Sequence, residues 1–182
     1  MEQAELEKVY FKSQIIFALK QLFQEAEDLF TSFQDEDFFV KPDFGWSPAQ
    51  NLEHLSKSTS IIPIALRLPR IGLLVFGSGG NSSRDYAEIR NTYIDKLEKG
   101  AGAGVFSPGY PGESVGRKRM IDHWEKIGHD FDPSLKTWKE EELDKYRLPH
   151  PILGLISIRE MLFFTMYHIT RHVDNVRKKK ES

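Results

Sequence analysis

The sequence predicts an all-α protein, a four-helix bundle with one long crossover. Three observations carry this. Long stretches free of Gly and Pro repeat apolar residues at three- and four-residue steps, the pattern of amphipathic helices. Two of the expected helices open on capping sequences, which fix where they start. No strand signal runs longer than a few residues, and "GLLVFG" is the best candidate for one.

The first helix is expected over residues 2–34. Val9, Ile15, Ile16, Leu19, Leu22, Phe23, Ala26 and Phe30 trace one face of it, and Pro42 and Gly45 in the following segment end it. A second helix, over 47–68, opens at "WSPAQNLEHL". Ser47 is a good N-cap, Pro48 sits where its missing N–H costs nothing, and Gln50 completes a capping box. Pro63 inside this helix predicts a kink. Residues 69–113 are Gly-, Ser- and Pro-rich and form the crossover, with a short helix over 84–99. A third helix is expected over 114–130, where Met120, Trp124 and Ile127 form a stripe. Pro133 interrupts it before a polar helical stretch whose "KEEELDK" reads as a solvated face. The fourth helix, over 157–178, starts at the N-cap Ser157 with Glu160 three residues on. Arg177 to Lys180 complement the negative end of its dipole. No internal repeat or second core is visible, so residues 1–182 read as a single domain.

Composition narrows the function. With 182 residues, 40% hydrophobic and 29% charged, the chain has the make-up of an ordinary globular domain. A net charge of −2 offers no basic field for nucleic acid. The absence of cysteine excludes disulfides, zinc–thiolate sites and a thiol nucleophile belonging to the protein itself. The polar N-terminus argues against a secretory signal, and no apolar run approaches the roughly 20 residues of a membrane span. The expectation is a cytoplasmic protein acting on a small-molecule substrate, without nucleic-acid or membrane partners. A homodimer is compatible with such a bundle, although the sequence supplies no independent evidence for one.

Near the C-terminus, "MLFFTMYHITRHVDNV" places His168 and His172 four residues apart, about 40° on a helical wheel. Both point toward the bundle interior at its margin, beside Met161 and Thr165. H-x-x-x-H alone leaves two readings open, a hydrogen-bonded core pair or half of a metal site, because it lacks the Glu of a zincin motif. His54 on the second helix tips the balance. It shares a stripe with Ser58, Ile61, Ala65 and Leu68, which reads as core-facing. Three inward imidazoles on two helices can converge on one divalent ion and leave positions open for water or substrate. His123, His129 and His150 read as surface or connecting residues. Asp174 and Glu53 are candidates to orient the ligand imidazoles, Glu53 the weaker because it lies 100° from His54.

Taken together, "WSPAQNLEHL" and the later "HPILGLISIREMLFFTMYHITRH" resemble the DinB-like (DinB/YfiT-like) superfamily of metalloenzymes over essentially the whole chain. The resemblance implies a four-helix bundle connected up-down-down-up. It also implies a divalent-metal triad carried over onto His54, His168 and His172, with Zn, Ni, Mn or Fe as the ion. Understood members activate a low-molecular-weight thiol, and many others are described as metal-dependent hydrolases. The implied function is activation of water or a small thiol for hydrolysis or S-transfer. The alternative is a non-catalytic module that binds metal or ligand. The crossover is where the resemblance places substrate contacts, and no carboxylate has a spacing that marks it as a general base.

Overall fold

The computed structural model of the chain describes residues 2–80, 82–109 and 115–180. Four long helices dominate: α2 (Lys12–Thr31), α4 (Pro48–Leu66), α7 (Arg117–Lys136) and α9 (Ile158–Lys180). Shorter helices fill the connections: α1 (Gln3–Leu6), α3 (Asp35–Phe39), α5 (Arg70–Leu73), α6 (Tyr86–Glu98) and α8 (Glu142–Lys145). A small antiparallel hairpin, β1 (Arg147–His150) and β2 (Gly154–Ser157), precedes α9.

Bonds between the helices define the topology. In the first half of α2, Lys20 reaches Asp132 near the end of α7, while Arg117 at the start of α7 donates to the Thr31 carbonyl at the end of α2. These two helices are therefore antiparallel. Tyr10, just ahead of α2, meets Arg159 at the start of α9, and Glu25 meets Arg177 near its end, so α2 and α9 are parallel. His54 of α4 meets His168, and Asn51, one turn earlier, meets His172, one turn later, so that pair is antiparallel. The result is the up-down-down-up order, and the crossover exists because α4 and α7 run the same way side by side.

Packing explains the order. The indole of Trp124 donates to the Phe23 carbonyl across α2 and α7, and its ring lies 4.4 Å from that of Phe23. A Cβ on Gly128 would come within 2.9 Å of the Phe23 ring, so only glycine allows this approach. The expected stripe of Met120, Trp124 and Ile127 is buried. Helix α9 is buried on every side from Ile158 to Thr170, which makes it the central column of the molecule. Both capping boxes form, Ser47 with Gln50 and Ser157 with Glu160.

Several expectations need correction. The first helix is not continuous over 2–34. It breaks between α1 and α2 because the Tyr10 carbonyl leaves the helical ladder to accept a 2.6 Å hydrogen bond from Arg159. Gln14 then accepts from the Tyr10 and Phe11 N–H groups and opens α2. Pro133 does not end the third helix, since Phe131 and Leu135 are buried on either side and hold the last turn down. That helix starts at Arg117, and Ser114 lies outside the described residues. "GLLVFG" is no strand but the end of α5 and a 3₁₀ turn over Leu74–Phe76, with Val75 exposed. The real strands are the four-residue pieces of the hairpin, where Leu148 and Ile156 alternate inward.

"KEEELDK" is likewise more than a solvated face. Arg159, only 1% exposed, is gripped by Asp144 through Nε and Nη2 and by Glu140 through Nη1. Burial disfavours ionisation of Asp144, but hydrogen bonds from Arg159 and Ser83 outweigh it and hold the carboxyl below its ordinary range. This cluster ties α8, α9 and the chain before α2 at one end of the bundle. Arg159→Ala would leave the Asp144 carboxylate buried without its counter-charge. The expected loss is roughly 3–5 kcal/mol, read as a lower urea midpoint, and Arg159→Lys should rescue little because it lacks the fork geometry.

Candidate metal centre

His54, His168 and His172 meet between α4 and α9, 5%, 3% and 8% exposed. Their nitrogens lie within 4.8 Å of one another, and the ring centroids are 4.7–4.9 Å apart. All three face the interior, but the stripe chosen for His54 is not the deepest face of α4. Ile61 and Leu68 on it are 49% and 45% exposed, while Leu52, Leu55, Thr59, Ile62 and Leu66 form the core side. His54 stays buried because the crossover covers it.

The hydrogen bonds fix the imidazoles. His54 Nδ1–H donates to the Phe106 carbonyl of the crossover at 2.8 Å, leaving its Nε2 lone pair facing inward. His172 Nδ1–H donates to Asn51 Oδ1 at 2.8 Å. The Asn51 amide is itself oriented, because its NH₂ donates to the Trp46 and Ser47 carbonyls and only the oxygen remains for His172. The Nε2 atoms of His54 and His168 are 2.9 Å apart. With the His54 proton committed to Nδ1, the proton of this pair sits on His168. Trp46 stacks on His172 at 11° between planes, and Phe164 stacks on His168 at 22°. These rings hold the set in an apolar frame.

Burial keeps all three imidazoles neutral. It pushes His168 well below the ordinary histidine range and His172 down to about 3, with the neighbouring imidazoles adding to both. Burial also lowers His54, partly offset by its bond to the Phe106 carbonyl. Neutral imidazoles are the form that binds metal. Two nitrogens each about 2.1 Å from one ion lie roughly 3.0–3.4 Å apart, close to the His54–His168 spacing. The donor set thus fits a divalent transition ion.

Two cavities adjoin the triad. One of about 560 Å³ reaches His54 and His172 and is walled by Trp46, Tyr93, Arg171 and Lys178. The other, about 50 Å³, reaches His54 and His168 and is walled by apolar residues including Ile62, Phe106, Met161 and Phe164. Tyr93, Ala103 and Phe106 come from the crossover, so that segment does build the walls. None of the described residues lining either cavity is Asp or Glu.

The remaining candidates fall differently. His123 and His129 are exposed, as expected. His150 is buried at 8%, contrary to its reading as a connecting residue. Its Nδ1 accepts the N–H groups of Ile152 and Leu153 in the hairpin turn, and its ring packs 4.2 Å from Phe164. Burial lowers it to about 4. Neither Asp174 nor Glu53 orients a triad imidazole, since they pair with Arg177 and Lys57. Asn51 does that work and was missed, although it lies one helical turn before His54 on an adjacent face.

The molecule is thus a helical bundle with a buried three-histidine centre open to two cavities. The model of the DinB superfamily matches residues 18–174, and the chain belongs to that superfamily. The solved structure of Bacillus subtilis YfiT, described as a probable metal-dependent hydrolase with an unusual four-helix bundle topology, shares the fold. The match has a TM-score of 0.60 at 15% identity and covers 94% of this chain and 88% of that one. No curated protein matches the chain. Among the described residues, no helix is long and apolar enough to cross a membrane.

Buried neutral histidines make stability pH-dependent. In metal-free protein, the unfolded chain takes up protons near pH 6.5, whereas folded His150 and His172 resist to about 4 and about 3. Their contribution is full above pH 6.5 and declines as the pH falls, by about 1.4 kcal/mol per unit for each such imidazole. Carboxylates titrate lower, so urea midpoints at pH 7, 6 and 5 should fall in step. A flat profile across that range would contradict neutral burial.

Proposed function

We propose that the protein is a metal-dependent enzyme that holds a divalent ion on His54, His168 and His172 and activates water or a small thiol. The observation that carries this reading is the convergence of three neutral imidazoles, two with Nδ1–H pinned by oxygen acceptors, beside open cavities. An ion there would supply Lewis acidity, making a water or thiol acidic enough to act as a nucleophile near neutral pH. His168 would present its Nε2 lone pair by carrying its proton on Nδ1. Trp46 and Phe164 exclude water from the imidazole faces, and the crossover carbonyl of Phe106 holds His54 in register.

The likeness to YfiT, a protein described as a probable metal-dependent hydrolase, supports hydrolysis. The absence of Asp and Glu from the described cavity walls supports a thiol, which needs less help from a carboxylate base than water does. Since the chain has no cysteine, that thiol would be a small molecule. Of the ions named above, Zn, Ni and Fe suit three imidazoles, whereas Mn favours oxygen donors.

Protein purified without a polyhistidine tag should contain close to one equivalent of metal by elemental analysis. His54→Ala and His168→Ala should abolish it, and a folded metal-free wild type would overturn the proposal. Separating S-transfer from hydrolysis takes a panel of small thiols with electrophiles alongside ester and amide substrates. Asn51→Leu keeps the side-chain volume but releases His172 Nδ1. It should weaken metal binding about 10- to 100-fold in a chelator competition, with the fold intact by circular dichroism.

A further inference from the structure

The larger cavity beside the triad has an unusual wall. Its described lining residues include Arg171, Lys178 and Lys179 but no acid, in a chain with 27 acidic and 25 basic residues. Most other arginines find carboxylates, among them Arg67 with Asp130, Arg84 with Glu160, Arg90 with Glu7 and Arg177 with Glu25. Arg171 is partly buried and pairs with no carboxylate among the described residues. Its hydrogen bond to the Tyr167 hydroxyl is a long one, 3.5 Å. A guanidinium held at a cavity wall without a carboxylate beside it keeps its donors available to an incoming anion.

Its position matters as much as its charge. Arg171 sits on α9 between His168 and His172, so a group it binds lies immediately beside the imidazoles. Tyr93 from α6 lines the same cavity, and its hydroxyl makes no hydrogen bond to any described residue. A phenol carries its proton at neutral pH and can donate it to a hydrogen bond. Lys178, two turns further along α9, is exposed at the mouth of the cavity. The wall therefore presents a forked guanidinium, a phenol and an ammonium group, all of them donors.

We infer that the reactant taken up at this site carries an oxyanion, a carboxylate or a phosphate, which Arg171 binds while Tyr93 and Lys178 assist. This deepens the proposed metal-dependent function by naming the chemistry of its substrate, and rests on that reading for the reaction alone. Arg171 can bind such a group through two parallel N–H···O bonds. The cationic mouth also draws anions in from solution. The apolar cavity on the far side of the triad suits the uncharged remainder of the same molecule.

The test uses succinate and methyl phosphate as probes, with neutral succinamide as the control, at constant ionic strength. Trp46 walls this cavity and stacks on His172, whereas Trp124 and Trp138 are fully buried elsewhere, so a saturable change in indole emission reports on the site. At least one anion should bind saturably and succinamide should not. Arg171→Gln should weaken binding at least tenfold and Lys178→Gln two- to threefold, with Arg171→Gln retaining wild-type metal content. Binding of succinate alone or of methyl phosphate alone supports the inference and identifies the group. The inference fails if neither anion binds, if succinamide binds as well as succinate, or if Arg171→Gln binds like wild type. Running each titration with and without metal separates the two readings. Protein that never takes up metal yet binds anions through Arg171 loses only the metal function, and metal-replete protein indifferent to anions loses only this inference.

Discussion

Three neutral imidazoles share one buried space between two antiparallel helices, and much of the structure around them exists to satisfy their nitrogens. A buried polar atom without a partner costs about 1–3 kcal/mol. His172 therefore requires Asn51, which requires the carbonyls ahead of α4 to hold its amide, which in turn requires the Ser47 cap to start that helix where it does. His54 requires a carbonyl from outside its own helix, and the crossover must return across the bundle to supply it from Phe106. The crossover is thus part of the site as well as the connection between two parallel helices.

The opposite end of α9 is organised by charge. Arg159 gathers Asp144, Glu140 and the Tyr10 carbonyl, while Glu160 receives Arg84 from the crossover. These bonds anchor both the chain leading into α2 and the segment leading into α6. Tyr93 is carried on α6, so the position of one cavity wall traces back to ion pairs at the far end of the central helix. Rigid placement of this kind is what a site built from several chain segments demands.

Fold and chemistry separate cleanly here. The bundle is shared with YfiT at 15% identity, a level at which the scaffold persists while most side chains differ. What the site does depends on what surrounds the imidazoles: the cationic wall on one side, the apolar cavity on the other, and the crossover residues that shape both. Function lies in those contacts rather than in the bundle.

The amino-acid sequence by itself determined the four long helices, both capping boxes and the inward direction of His54, His168 and His172, because each is written in local periodicity or in a cap of four residues. It also marked the crossover, since Gly, Ser and Pro cannot sustain a long helix. Only the tertiary structure decided the rest. The break before α2 depends on Arg159, nearly 150 residues away, taking a carbonyl from the helix. "GLLVFG" folds as the end of α5 and a 3₁₀ turn, and the pairing that follows it, Ser78 with Tyr146, is a single bridge rather than a strand. His150 is buried because a hairpin turn folds onto Phe164, and Asn51 rather than Glu53 or Asp174 meets His172 because α9 crosses α4 at that turn. Periodicity tells which way a side chain points, but only packing decides what it meets there.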